Sequence, residues 1–191
     1  MIKNKFQNFK FILASQSPRR KELFSSLDLP FESFTKNIDE SYPENIPKTA
    51  VAEFLSVKKS NEYSIQNNEI LITADTIVIH KNKILNKPIN KLQATEMLEL
   101  ISNSSNTVIT GVCIRSNSKK KSFAETTEVS FDTLEQNEIE FYIDKYNPLD
   151  KAGAYGIQDW IGKIGVKNIN GCYYNVMGLP IHRLYKELKR F

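Results

Sequence analysis

Apolar positions along the chain recur in two alternating rhythms, and each change of rhythm marks a new element. Phe9, Phe11, Ile12, Leu13 and Ala14 crowd into a run that predicts a first strand over Phe9 to Ser15. The chain then turns at Ser15 to Ser17 into a helix carrying Leu23, Phe24 and Leu27. A short strand around Phe31 to Thr35 leads into a polar loop with Pro43 and Pro47, after which Val51, Phe54 and Leu55 mark the apolar face of a second helix. Glu69 to Ile79 is an almost continuous apolar run, the pattern of a strand buried on both faces. Lys81-Asn82-Lys83 predicts a tight turn into a short Ile84-Leu85 strand. Ala94, Met97, Leu98 and Ile101 then fall at the i, i+3, i+4, i+7 spacing of an amphipathic helix.

Two further strands, Thr107 to Arg115 and Phe123 to Phe131, predict a hairpin across the tip at Lys119-Lys120-Lys121. Helical spacing returns at Ile139, Tyr142, Ile143 and Tyr146, and again at Ile181, Leu184, Tyr185 and Leu188 behind Gly178-Leu179-Pro180. Strands alternating with helices give an α/β fold with a central mixed sheet flanked by helices; the hairpin argues against a purely parallel, doubly wound sheet.

Composition narrows the function classes without choosing among them. A chain of 191 residues, 40% hydrophobic and 25% charged, is long enough for one substantial core, and residues 1–191 are expected to form a single domain. The net charge of +4 suits an anionic substrate and equally a solvated basic surface. No aromatic residues are interleaved with the Lys119–Lys121 run, so no stable nucleic-acid partner is expected. The polar first ten residues carry no secretory signal, and no apolar run approaches a membrane span. The two cysteines, Cys113 and Cys172, lack CxxC spacing and a neighbouring histidine; they read as reduced thiols of a cytoplasmic protein.

Four features do not fit a purely structural reading. Ser17-Pro18 is a well-made helix start, serine at the cap and proline at the first helical position. Arg19 and Arg20 follow in the first turn, where cations oppose the helix dipole. Backbone N–H groups, the hydroxyls of Ser15 and Ser17 and two guanidinium groups together suit a polyanion such as a phosphate chain. Lys58 continues the apolar stripe of 51, 54 and 55, so it either snorkels to water or carries a cation into a cleft. Asp75 interrupts the most apolar strand, where a carboxylate is costly unless paired or metal-bound. Lys87-Pro88 follows the short hairpin and can return a cation towards it. Residues 149–158 carry small residues and two glycines, which let a backbone approach a ligand, but match neither a dinucleotide fingerprint nor a P-loop.

In this order the segments resemble the Maf family of nucleoside triphosphate pyrophosphatases. The resemblance rests on Ser15-Gln16-Ser17-Pro18-Arg19-Arg20 with Leu23, on Ala74-Asp75-Thr76 with Val78, and on Leu85-Asn86-Lys87-Pro88. It continues through Thr110-Gly111-Val112, the stretch from Asp150 to Gln158, Asn170-Gly171 and Gly178-Leu179-Pro180. It implies a Maf/ITPase-like domain with a substrate cleft, and hydrolysis of a nucleoside triphosphate to the monophosphate and pyrophosphate. A divalent cation such as Mg²⁺ or Mn²⁺ is implied as cofactor, held by Asp75 and Glu40. Asp75 corresponds to the proton acceptor, while Glu40, Lys58, Lys87 and Arg20 correspond to the other charged active-site positions. Ser15, Ser17 and Arg20 are expected to bind phosphate. Arg19, Thr76 and Gln158 match the branch acting on dTTP, UTP and modified pyrimidine triphosphates. Departures from the family pattern are Gln16, Asn86, Asn106 and Cys172, none of which removes a catalytic group. The resemblance is compatible with a homodimer, and its alternative reading is a non-catalytic nucleotide sensor acting in cell division.

Overall fold

The computed structural model describes residues 2–191. In chain order the first elements are α1 (Ile2–Lys5), β1 (Lys10–Leu13), α2 (Pro18–Ser25), β2 (Phe31–Ser33) and α3 (Val51–Asn61). Next come β3 (Glu69–His80), β4 (Lys83–Leu85), α4 (Lys91–Ile101), β5 (Ser105–Arg115) and β6 (Lys120–Phe131). The chain closes with α5 (Gln136–Tyr146), α6 (Trp160–Gly165), β7 (Val166–Asn170), α7 (Tyr173–Met177) and α8 (Ile181–Arg190). The strands form one sheet in the order β2-β1-β3-β5-β6-β7, with β4 paired to β3. It is mixed, as the sequence predicts: β1 runs parallel to β2 and β3, while β4 is antiparallel to β3 and β7 to β6.

The chain divides into two compact units. The first comprises the residues up to Asp75, Thr110–Glu125 and Gly178–Phe191. Its core is aromatic near the start of the chain, where Phe11 and Phe24 lie 5.8 Å apart and Phe24 and Phe31 meet edge-on at 4.9 Å. Helix α3 packs directly on β5, because Gly111 offers no side chain: a Cβ there would stand 2.2 Å from the Ala52 carbonyl oxygen. Further along, the Thr73 hydroxyl donates to the Ser56 carbonyl at 2.6 Å, fixing α3 against β3. Helix α8 buries Ile181, Leu184 and Leu188 of the stripe expected from its spacing, and leaves Tyr185 half-buried.

The second unit comprises Thr76–Ile109 and Thr126–Met177. The turn from β3 to β4 places Lys81 and Asn82 at positive φ, 43° and 62°, as a two-residue hairpin loop requires. Asn90 caps α4 by accepting from the Gln93 N–H at 2.9 Å. Helix α5 starts with a capping box of Glu135 and Glu138, buries Ile139, Tyr142 and Ile143, and stops at Asn147 in the left-handed region. Buried Asn106, one of the departures from the family pattern, accepts from the Tyr155 hydroxyl at 2.9 Å and donates to the Val129 carbonyl.

Several short elements carry no readable period. Strand β7 alternates poorly because it pairs at the sheet edge with half-exposed residues throughout. Helix α6 spans six residues and includes two glycines. The first strand is shorter than its apolar run: beyond Leu13 the Ser15 N–H turns back to the Leu13 carbonyl at 2.9 Å.

Candidate active site

Within the first unit, the start of α2 is built locally. Ser17 stands in extended backbone and accepts from the Arg20 N–H at 3.5 Å, while Ser15 accepts from the Ser17 N–H at 3.2 Å. Of the two hydroxyls expected to meet phosphate, Ser17 thus caps the helix and Ser15 braces the turn before it. The Arg20 side chain turns away from the helix: its Nε donates to the Gly178 carbonyl at 2.7 Å and its Nη1 to the Ala74 carbonyl at 2.8 Å. These two bonds deliver a guanidinium beside Asp75. Burial lowers the Arg20 pKa; Asp75 opposes the shift, Arg19 adds to it and Glu40 opposes it. A guanidinium starts so high that it stays charged under all these influences.

Asp75 is 8% exposed, and its charge is answered by Lys59, whose Nζ lies 2.5 Å from Oδ1. The same ammonium reaches Glu40 Oε1 at 2.7 Å. Lys58 points elsewhere. Its Nζ bonds Asp39 Oδ2 at 2.9 Å and the Ser41 carbonyl at 2.7 Å. The Ser41 hydroxyl, then Lys58 and the Ser41 N–H, hold the Asp39 carboxyl well below the usual carboxylate range. Two consecutive lysines of α3 therefore grip two consecutive carboxylates of the preceding loop.

The lysine at Asp75 is thus Lys59, the neighbour of the Lys58 singled out in the sequence. The sequence stripe was drawn through Phe54, yet Phe54 is only half-buried and the buried positions of α3 are Val51, Ala52, Leu55, Ser56 and Ser60. That stripe lies about 100° further round the helix, and Lys59 falls within it while Lys58 flanks it. Two small residues, Ala52 and Ser56, disguised the true face.

Sequence reading placed three more residues at the site, and all belong to the second unit. Thr76 follows Asp75 in β3 and is half-buried. Lys87 is exposed beyond β4. Gln158 is half-buried, and its Oε1 is fully buried with no hydrogen-bond partner among the described residues. A buried acceptor left open is costly in an unliganded fold. Around it lies a network that sequence reading missed. Tyr142 donates to Asp159 Oδ2 at 2.9 Å, the Gly156 N–H donates to the Tyr142 hydroxyl at 3.1 Å, and Lys151 Nζ stands 3.7 Å from Asp159 Oδ2.

For a metal, the described residues hold no cluster of three or more His, Cys, Asp or Glu side chains suited to an ion. Asp75 and Glu40 instead form a pair of carboxylates that share one ammonium. Such a pair fits a hard divalent ion that takes its remaining ligands from substrate phosphates and water, as Mg²⁺ commonly does. Among the described residues no helix is long and apolar enough to cross a membrane.

Fold and site define a class: a mixed-sheet α/β protein whose buried carboxylate is flanked by an ammonium and a guanidinium, a grouping suited to phosphorylated substrates. The Maf-like protein family matches residues 10–191, and the chain belongs to it. It is 49% identical over 185 residues to a dTTP/UTP pyrophosphatase of Bacteroides thetaiotaomicron, covering 95% of this chain and 96% of that one. It is 46% identical to a dTTP/UTP pyrophosphatase of Parabacteroides distasonis over the full length of both. The solved structure of a HAM1 protein from Coxiella burnetii superposes with a TM-score of 0.52 at 13% identity, over 96% of this chain and all of that one, and so shares its fold.

Proposed function

We infer that this protein is a nucleoside triphosphate diphosphatase that hydrolyses dTTP and UTP to the nucleoside monophosphate and pyrophosphate. The observation that carries this reading is Lys59 bridging buried Asp75 and exposed Glu40, beside Arg20. It occurs in a chain nearly half identical, over almost all its length, to dTTP/UTP pyrophosphatases. The family match across residues 10–191 also supports residues 1–191 acting as a single domain.

Asp75 orients a water molecule on the α-phosphorus and accepts its proton as the oxygen bonds to phosphorus. The bond from the α-phosphorus to the bridging oxygen breaks, and pyrophosphate leaves with that oxygen. Lys59, with its Nζ 2.5 Å from Oδ1, holds the Asp75 carboxylate in place for that step. Arg20, held by two carbonyls, stabilises charge developing on the phosphate oxygens, a role in which one preorganised donor contributes ~10²–10³ in rate. Lys87 adds charge to the leaving group, and Ser15 and Ser17 support the phosphate chain at the start of α2. Lys58 acts through Asp39 and Ser41, which hold the loop carrying Glu40. A divalent cation, Mg²⁺ or Mn²⁺, would be held by Asp75 and Glu40, and when bound supplies Lewis-acid neutralisation of phosphate charge.

Base choice falls to Gln158, with Thr76 and Arg19. The Gln158 Oε1, buried and without a partner among the described residues, suits the N3–H of uracil or thymine once the side chain turns to the base, and cytosine lacks that proton. In a panel of nucleotides with Mg²⁺ or Mn²⁺, pyrophosphate release from dTTP and UTP should far exceed that from GTP, ATP and CTP, and a chelator should stop it. A purine preference would remove the pyrimidine reading. The two lysines separate as well: Lys59→Met should lower kcat ~10²-fold or more. Lys58→Met should cost much less, because its partners Asp39 and Ser41 are exposed. Equal losses in the two variants would contradict the roles given to them. A cytoplasmic location, with Cys113 and Cys172 as free thiols, suits a substrate drawn from the nucleotide pool.

A further inference from the structure

Gln158 sits in a short turn whose two ends are held by one side chain from another element. The Asp159 N–H returns to the Gly156 carbonyl at 3.0 Å, closing a turn over residues 156–159. The Tyr142 hydroxyl of α5 then takes hold of both ends. It accepts from the Gly156 N–H at 3.1 Å and donates to Asp159 Oδ2 at 2.9 Å, so its single proton and a lone pair are both used. Gly156 is what permits the clasp, since a Cβ there would lie 2.4 Å from Asp159 Oδ2. Lys151, with a side chain only 11% exposed, reinforces it from the flank: its Nζ pairs with Asp150 at 2.7 Å and stands 3.7 Å from Asp159 Oδ2. Burial, then the Asp159 charge, pushes the Tyr142 phenol above its ordinary pKa, so the group is a neutral donor throughout. At the core of the turn Ile157 is 4% exposed, and Gln158 carries the buried acceptor that has no partner among the described residues.

We propose that Tyr142 and Asp159 are positioning residues for base selection: their clasp fixes the 156–159 turn and so sets where the Gln158 side chain, on turning to the base, presents Oε1 to the N3–H of uracil or thymine. This rests on the reading of Gln158 given above and deepens it. A glutamine amide discriminates a donor from an acceptor only while it cannot swing or flip to present its NH₂ instead. With Oε1 making no hydrogen bond of its own, the clasp on the turn limits how far the side chain can swing from the base edge.

UTP and CTP make the test, because they differ at the N3 position that Oε1 would read. The quantity to measure is the ratio of kcat/KM for UTP to that for CTP in wild type, Tyr142→Phe, Gln158→Ala and the double variant. Tyr142→Phe should lower the ratio about tenfold, the worth of a lost buried hydrogen bond, with KM for UTP rising more than kcat falls. In the Gln158→Ala background the same change should lower the ratio no further, which a merely structural tyrosine would not obey. Should Tyr142→Phe fold poorly, Asp159→Ala removes one end of the clasp and should move the ratio in the same direction. An unaltered ratio in both variants of a discriminating wild type overturns the proposal alone, as does an equal loss with and without Gln158. A wild-type protein that releases pyrophosphate from CTP as fast as from UTP overturns the reading of Gln158 and the proposal with it.

Discussion

Replacing Asp75 by asparagine should remove nearly all pyrophosphate release while the chain remains folded. The substitution keeps the shape of a side chain that is 8% exposed and takes away only its charge and its capacity to accept a proton. Loss of a general base costs ~10²–10⁴ in rate. The fold should tolerate the change because Lys59 keeps its second partner, Glu40 Oε1, at 2.7 Å. An amide oxygen at position 75 can still accept from the ammonium, so the buried cation is not stranded. The measurement pairs pyrophosphate release from dTTP with far-UV circular dichroism and a thermal midpoint. Turnover near the wild-type rate in a folded Asp75→Asn protein would remove Asp75 from the role of proton acceptor.

Gly111→Val should produce the largest loss of stability. The glycine is needed for space, because a Cβ would sit 2.2 Å from the Ala52 oxygen, 2.3 Å from the Ala52 carbonyl carbon and 2.3 Å from the Glu53 nitrogen. All three are backbone atoms of α3, so no side chain can swing aside and the helix itself must move off β5. Overpacking a core costs ~1–3 kcal/mol and more when backbone is displaced. For a chain of this size ~3 kcal/mol lowers the thermal midpoint by ~10 °C. Because α3 carries Lys58 and Lys59, activity at low temperature should fall as well, beyond what the unfolded fraction explains. Gly111→Ala should show the same effects in weaker form. A Gly111→Val protein with a wild-type midpoint would mean that α3 is free to shift, and with it the lysine that answers Asp75.

These two sites differ in how far they could be read in advance. Asp75 was conspicuous in the sequence, since a carboxylate within an apolar run announces an unusual environment. Its partner was not. Lys58 and Lys59 are chemically identical neighbours, and the stripe through Phe54 singles out Lys58. Only the burial of Ala52 and Ser56, residues too small to mark a face by hydrophobicity, turns Lys59 towards Asp75. Tyr142 shows the same limit from another direction. Its place on the apolar face of α5 was evident from spacing, and it is indeed buried. Its hydroxyl, however, acts on Gly156 and Asp159, partners that no helical period can indicate.

The sequence by itself determined the local structures and the chemistry available to them. Ser17-Pro18 starts a helix because capping is satisfied within three residues, and Ser17 does receive the Arg20 N–H. The alternation of strand and helix, the turn at Lys81-Asn82 and the stripe of α8 followed from periods and turn residues acting over short spans. Tertiary structure alone decided which charged groups meet. It brings Arg20 to the carbonyls of Ala74 and Gly178, Lys59 to Asp75 and Glu40, and Tyr142 across the turn that holds Gln158. The physical reason is one of range. Caps, turns and periodic stripes depend on neighbours along the chain, whereas the partner of a buried charge is chosen by packing between distant segments, to an accuracy finer than the 100° that separates one helical residue from the next.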